Sequence, residues 1–122
     1  MMRIGTGLVR IPDVSFISWD RIPNRDVPRR PIPDLVPDLV VEVISPNDLA
    51  WELESKVEEY LRAGVRLVWV IDPYTRTVRV HRADGTASRL RQDDELSGED
   101  VIPGFRCAVR DLFPPPRPAG PA

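Results

Sequence analysis

Two nearly continuous apolar segments occupy the middle of the chain, and an amphipathic segment separates them. Leu39 to Ile44 and Arg66 to Asp72 are rich in β-branched residues, which favours buried strands. Between them, apolar residues recur at helical spacing from Leu49 to Leu61, and Ala63-Gly64 ends the pattern, as a helix terminus does. The order strand, helix, strand predicts two parallel strands of one sheet, joined by a right-handed helical crossover.

Turn-forming residues set the start of this helix. Ser45-Pro46-Asn47-Asp48 follows the first strand, and Asn and Asp are favoured helix N-caps. We therefore expect Asn47 or Asp48 to be the cap and the helix to cover Asp48 to Ala63.

The flanking segments predict further strands around this central unit. Pro12 to Ile17 is rich in β-forming residues, and Thr77 to Arg82 alternates apolar and basic residues before a turn that leads into Thr86 to Arg91, a pattern typical of a hairpin. We expect an acidic connection from Asp93 to Val101 and a last strand or short helix from Phe105 to Phe113. The predicted fold class is α/β, with a mixed sheet flanked by helices and an additional C-terminal hairpin region.

Proline-rich segments indicate where regular structure stops. Trp19 to Pro37 contains five prolines and four arginines, so we expect a long loop that either contacts a polyanion or forms solvated surface. The tail from Pro114 to Ala122 is expected to be disordered. One domain is expected over residues 1–113, since 122 residues are enough for a single core.

Composition narrows the class of protein. A net charge of −2 argues against a protein that coats nucleic acid without specificity, although it is compatible with one that brings DNA to an acidic, metal-filled cleft. The single cysteine, Cys107, excludes an internal disulfide and a cysteine-based zinc site. No apolar run approaches the ~20 residues of a membrane span and no signal peptide is evident, so the expected location is cytoplasmic.

One lysine has an unusual position. Among 17 basic residues, Lys56 is the only lysine, and its spacing from Leu53 and Tyr60 places it on the apolar stripe of the helix. A lysine ammonium can contact a single oxygen in a way that a planar arginine fork does not reproduce. We interpret Lys56 as a functional residue, with a side chain that extends along the helix flank as the alternative.

Carboxylates are the other candidates for chemistry. Glu42 lies inside a buried strand, where a charge is costly unless it is paired, protonated or bound to metal. Asp13, on another strand, could share a divalent cation with Glu42. Asp38 is the rival, but four strand residues put its backbone ~13 Å from that of Glu42, so it is expected to shape the cleft or cap the strand. Solvated strand ends and ion pairs with arginines are the alternative for all three acids. The only histidine, His81, is expected to lie at the surface.

These motifs resemble the Uma2 family of restriction endonucleases, within the PD-(D/E)XK nuclease superfamily. The resemblance is carried by a set of short segments: Pro12-Asp13-Val14-Ser15-Phe16, Pro37 to Pro46, Lys56 with Tyr60, Ala63-Gly64-Val65, Val68 to Pro73 and Pro103-Gly104-Phe105. It implies a restriction-endonuclease-like fold and hydrolysis of DNA with Mg²⁺ or Mn²⁺.

From their positions in the family's motifs, the resemblance implies that Asp13 and Glu42 are metal ligands. The lysine position of the second motif is Ile44 here, so the resemblance implies that the lysine has moved to Lys56 on the following helix, where it would contact phosphate or water. Asp13, Glu42 and Lys56 are therefore the expected catalytic residues, with Asp38 auxiliary.

The N-terminal part is shorter than is usual for this family. We expect an uncovered sheet edge and therefore a homodimer or larger oligomer. Two alternatives to a deoxyribonuclease stay open: an inactive nuclease-fold remnant that binds DNA or protein, and a nuclease for RNA or nucleotides.

Overall fold

A computed structural model describes residues 2–4, 8–10, 13–18, 21 and 36–115 of the chain. In this part of the chain the elements are, in order, β1 (Met2–Ile4), β2 (Leu8–Arg10), β3 (Val14–Phe16), β4 (Leu39–Val43), α1 (Ala50–Ala63), β5 (Leu67–Asp72), β6 (Thr77–Arg82), β7 (Ala87–Leu90), β8 (Glu95–Ser97), β9 (Arg106–Ala108) and a 3-10 helix (Val109–Leu112).

A five-stranded mixed sheet forms the centre of the molecule, in the order β3-β4-β5-β6-β7. Strands β4 and β5 are parallel neighbours, with Glu42 level with Val70, and α1 is the crossover between them. The other neighbouring pairs are antiparallel. The predicted mixed sheet and its strand-helix-strand unit are confirmed.

Helix α1 ends where the sequence predicts but begins later. Gly64 has a φ of 107°, a left-handed conformation that glycine adopts without a steric penalty, and the Val65 amide then donates to the Tyr60 carbonyl at 3.1 Å. The predicted N-cap is wrong, because Leu49 takes that position without a side-chain hydrogen bond. The carboxylate of Asp48 instead accepts from the Ser45 amide at 2.8 Å, so the turn before the helix already uses it.

The two faces of the sheet bury different clusters. On one face Val40, Val68 and Val70 pack beneath α1 with its residues Leu53, Val57 and Tyr60. On the other face the buried residues are Leu39, Val41, Leu67, Trp69, Val78, Val80, Leu96, Val101, Val109 and Phe113. Successive strand residues point to opposite faces, so Glu42, two residues after Val40, points towards α1.

In the described residues, the second face is covered by the β8–β9 pair and the 3-10 helix rather than by a further α-helix. The segment predicted as an acidic connection contains β8, which pairs with β9 through Leu96 and Cys107. The segment is more than a connection because Leu96 and Val101, which are 1% and 7% exposed, pack its otherwise polar chain into the core. Phe105 to Phe113 holds both predicted forms, a strand and then a 3-10 helix. In the described residues, α1 is the one α-helix against the sheet.

Some predictions fall outside the described residues. These are most of the arginine-rich loop, at residues 22–35, and most of the proline-rich tail, at residues 116–122. None of the described helices has the length and apolar character needed to cross a membrane.

Candidate functional site

Glu42 is a buried carboxylate at the interface between the sheet and the helix. It lies near the C-terminal end of β4, and the residue is 4% exposed. A carboxylate that has lost most of its water needs hydrogen bonds or an opposite charge to remain ionised. The residues that surround Glu42 therefore define the chemistry of this position.

Helix α1 supplies two partners to the two oxygens of Glu42. The hydroxyl of Tyr60 donates to Oε1 at 2.6 Å, and the Nζ of Lys56 lies 3.8 Å from Oε2. Lys56 and Tyr60 are four residues apart and so lie on the same side of the helix. The Lys56 side chain is 32% exposed, whereas that of Glu42 is 5% exposed, so this ion pair lies at the edge of the buried interface.

Asp13 directly precedes the neighbouring strand β3 and lies beside Glu42. The antiparallel register pairs Val14 with Val41, so one step further along the strand Asp13 stands opposite Glu42, and opposite residues share a face. The Oδ2 of Asp13 accepts a hydrogen bond from the Val43 amide at 2.7 Å. That bond fixes the carboxylate at the end of the β3–β4 pairing, beside Glu42.

The pKa of Glu42 is raised above its ordinary value of 4.5. Burial is the largest cause, and the nearby Asp13 adds to it through charge repulsion and hydrogen bonding. The Tyr60 hydroxyl and the Lys56 ammonium act in the opposite direction, since both favour the charged form. The two partners from α1 therefore offset the effect of burial on the pKa of Glu42 only in part.

This donor set fits a Mg²⁺ or Mn²⁺ ion. Hard divalent cations prefer carboxylate oxygens, and Mg²⁺ is commonly held by one or two carboxylates while it keeps several waters. Asp13 and Glu42 supply two such groups, and a cation between them would offset their repulsion. Within the described residues, no group of three or more His, Cys, Asp or Glu side chains is arranged to hold a metal.

The carboxylate of Asp38 is used elsewhere. It is 1% exposed, its Oδ2 accepts from the Ser18 amide at 2.7 Å, and its Oδ1 lies 2.8 Å from Arg21 Nε. Arg66 Nη1 is 3.7 Å from the same oxygen. The contacts of Asp38 thus tie the start of β4 to Ser18 and Arg21, in keeping with the expectation that it caps the strand.

Arg21 is the one residue of the predicted polyanion-contacting loop, apart from the loop's C-terminal end, that the structure describes. Its Nη1 donates to the carbonyls of Val36, Pro37 and Gly64 at 3.1 to 3.3 Å. Arg21 therefore links its own segment to the start of β4 and to the C-terminal end of α1.

His81 lies on the opposite flank of α1. Its side chain lines a cavity of about 160 Å³ together with Arg79, Glu54 and Glu58, above apolar walls of Leu53, Val57 and Val70. Burial, followed by the charge of Arg79, lowers the pKa of His81, and the two glutamates oppose that shift. The prediction that His81 lies at the surface is therefore only partly correct, because the residue is half-buried.

Tyr60 is the contact that the sequence reasoning did not assign to the site. Its ring belongs to the apolar stripe, and the residue is 0% exposed, so its spacing alone predicts a core residue. The sequence did contain a signal for this contact. A buried tyrosine hydroxyl needs a hydrogen-bond partner, and the Glu42 carboxylate on the preceding strand needs a hydrogen-bond donor.

Comparison with known proteins relates this chain to one family. Residues 1–110 match the model of the Uma2 family, described as "Putative restriction endonuclease". The fold is similar to that in the crystal structure of "a putative nuclease belonging to DUF820" from Anabaena variabilis ATCC 29413, with a TM-score of 0.73 and 25% identity. The match covers 84% of this chain and 59% of that one. No curated protein matches the sequence. Because the family model matches all but the last 12 of the 122 residues, the chain belongs to the Uma2 family.

Proposed function

We propose that this protein is a Mg²⁺- or Mn²⁺-dependent endonuclease that hydrolyses phosphodiester bonds in DNA. Membership of the Uma2 family and the similarity to a nuclease structure support the reaction class. The observation that carries the proposal is the arrangement at Glu42: a buried carboxylate with a second carboxylate, Asp13, beside it and the Lys56 ammonium 3.8 Å away.

Asp13 and Glu42 are the residues that would hold the cation. When bound, a divalent ion supplies charge stabilisation to the phosphate and activation to a water molecule. Asp13 is oriented for this role by the Val43 amide, and Glu42 by the helix partners described above. Glu42 lies within β4 and Asp13 directly precedes the adjacent strand β3, and sites supported by strands are held more rigidly than sites on loops.

Lys56 would act on the phosphate side of the reaction. A phosphodiester gains negative charge on its non-bridging oxygens as the attacking oxygen approaches, and a fixed ammonium stabilises that charge. In the resting site the ammonium faces Oε2 of Glu42. The partial exposure of Lys56 allows it to contact a DNA phosphate without a rearrangement of the helix.

Titration of the protein with Mn²⁺ by calorimetry tests the metal site, and digestion of plasmid DNA tests the reaction. We expect one binding event in the wild type, its loss in Glu42→Gln and Asp13→Asn, and cleavage that EDTA abolishes. Glu95→Gln is the matched control, since Glu95 is more than half exposed and pairs only weakly with Arg106, at 3.7 Å. A folded wild type that neither binds Mn²⁺ nor cuts DNA contradicts the proposal and favours a non-catalytic binding module.

A further inference from the structure

We propose that Tyr60 is a positioning residue that fixes the Glu42 carboxylate for cation binding. This inference deepens the proposed function and rests on it. The hydroxyl of Tyr60 lies 2.6 Å from Glu42 Oε1, and both residues are buried, at 0% and 4% exposure. The bond is therefore shielded from competing water.

The contact with Tyr60 constrains the carboxylate in a way that the contact with Lys56 does not. A hydroxyl–carboxylate bond of this length is short and directional, so it fixes the rotation of the carboxylate about its own axis. The Lys56 nitrogen, at 3.8 Å, is beyond hydrogen-bond length and attracts the carboxylate without setting its angle. With Oε1 held by Tyr60, Oε2 is the oxygen directed towards Lys56.

The end of helix α1 and the packing of the ring fix the position of Tyr60 and therefore of its hydroxyl. The Tyr60 carbonyl accepts from the Val65 amide at 3.1 Å, where the helix ends at Gly64. The ring packs in the cluster beneath α1 with Val40 and Val68. The helix therefore presents two groups to the site from adjacent turns: the ammonium of the partly exposed Lys56 side chain and the hydroxyl of the buried Tyr60.

Partners of metal-ligating carboxylates typically change metal affinity or activity by ~10–100-fold when they are removed. We therefore expect Tyr60→Phe, which deletes one oxygen and keeps the ring, to weaken Mn²⁺ binding by at least about 10-fold. Cleavage should recover in part at saturating Mn²⁺, because the reacting groups remain. Tyr74→Phe is the matched control: Tyr74 is the only other tyrosine, is 63% exposed, and its variant should bind and cut like the wild type.

A spectroscopic measurement avoids dependence on the stability of Tyr60→Phe. In the Tyr74→Phe background, 3-fluorotyrosine incorporated during expression labels position 60 alone. Mg²⁺ should shift the ¹⁹F resonance, since the cation changes the charge on the oxygen that the hydroxyl contacts, and Mn²⁺ should broaden it.

The outcomes separate this inference from the proposed function. If wild type binds Mn²⁺ and cuts DNA, while Tyr60→Phe binds equally well or the fluorine signal ignores Mg²⁺, the positioning role is overturned and the nuclease proposal stands. If folded wild type binds no metal and cuts nothing, both are overturned. Weaker Mn²⁺ binding in Tyr60→Phe, together with the Mg²⁺-dependent shift, supports the role.

Discussion

The ammonium of Lys56 lies 3.8 Å from Oε2 of Glu42, across the interface between the crossover helix and the strand that precedes it. Ile44, which directly follows β4 and where the family resemblance implied a lysine, is apolar in this chain. Helix α1 therefore places the positively charged Lys56 ammonium beside Glu42. The strand that carries Glu42 does not supply this charge. This placement depends on the parallel β4–β5 pair, because the crossover lays α1 directly over Glu42.

Arg21 and Asp38 give a prediction about stability that is separate from the site. Arg21→Met removes the guanidinium that lies 2.8 Å from the buried Asp38 carboxylate and the donor to three carbonyls. Loss of one partner of a buried ion pair costs about 3–5 kcal/mol. Since the Arg21 side chain is 31% exposed and solvent screens the pair, we expect a smaller cost, about 2–3 kcal/mol, in urea unfolding.

A surface pair serves as the control for that experiment. Arg110→Met breaks the contact with Asp93, whose side chain is 93% exposed, and should cost less than about 1 kcal/mol. Mn²⁺ affinity should be unchanged in both variants, because neither touches Asp13 or Glu42. Equal destabilisation by the two changes would contradict a structural role for the Arg21–Asp38 pair.

His81 predicts a pH dependence of stability. Its pKa is lowered below the ordinary 6.5 by burial and by Arg79, against the opposing charges of Glu54 and Glu58. The folded state therefore binds this proton less tightly than the unfolded state does, so the free energy of unfolding falls as pH drops below 6.5 towards the folded-state pKa. We expect the free energy of unfolding, measured in urea between pH 7.5 and 5, to fall less steeply with decreasing pH in His81→Gln than in the wild type. An identical slope in both proteins would exclude His81 as the source.

The β3 edge predicts self-association. Val14 and Phe16 on β3 are 56% and 37% exposed, and Val43 on the adjacent strand is 44% exposed. In the described sheet β3 is an outer strand, and an apolar outer strand is a common site for pairing with a second copy. Light scattering should give a mass above 13.8 kDa for the wild type and a monomer for Val14→Lys. Tyr74→Lys, at an exposed residue away from this edge, should associate like the wild type, and a wild type that is monomeric at all concentrations would contradict the prediction.

The sequence predicted the central unit because its signals were strong and mutually consistent. Near-continuous apolar strands on either side of an amphipathic helix allow few arrangements, and the observed β4-α1-β5 unit is the simplest of them. The expectation that Glu42 and Lys56 belong to one site came from the buried position of the acid, the inward-leaning position of the lysine and the resemblance to the nuclease family.

The features that were not predicted depend on contacts between distant residues. Strand β8 is held by one buried side chain, Leu96, in a segment that reads as acidic and polar. The start of α1 shifted because Asp48 bonds back to Ser45, a choice that composition does not reveal. The role of Tyr60 was hidden because its ring satisfies the apolar pattern, while its hydroxyl is explained only by the position of Glu42.

The most direct test of the central claim is nicking of supercoiled plasmid in Mn²⁺ by the wild type, Lys56→Arg and Glu42→Ala, with thermal melts as the folding control. Lys56→Arg should remain folded, since both residues are good helix formers, and should lose about 10²–10³-fold in rate, the usual cost of one preorganised electrostatic contact. Glu42→Ala should remove metal-dependent cleavage. Wild-type cleavage that persists undiminished in both folded variants would contradict the claim that Glu42 and Lys56 form the active site.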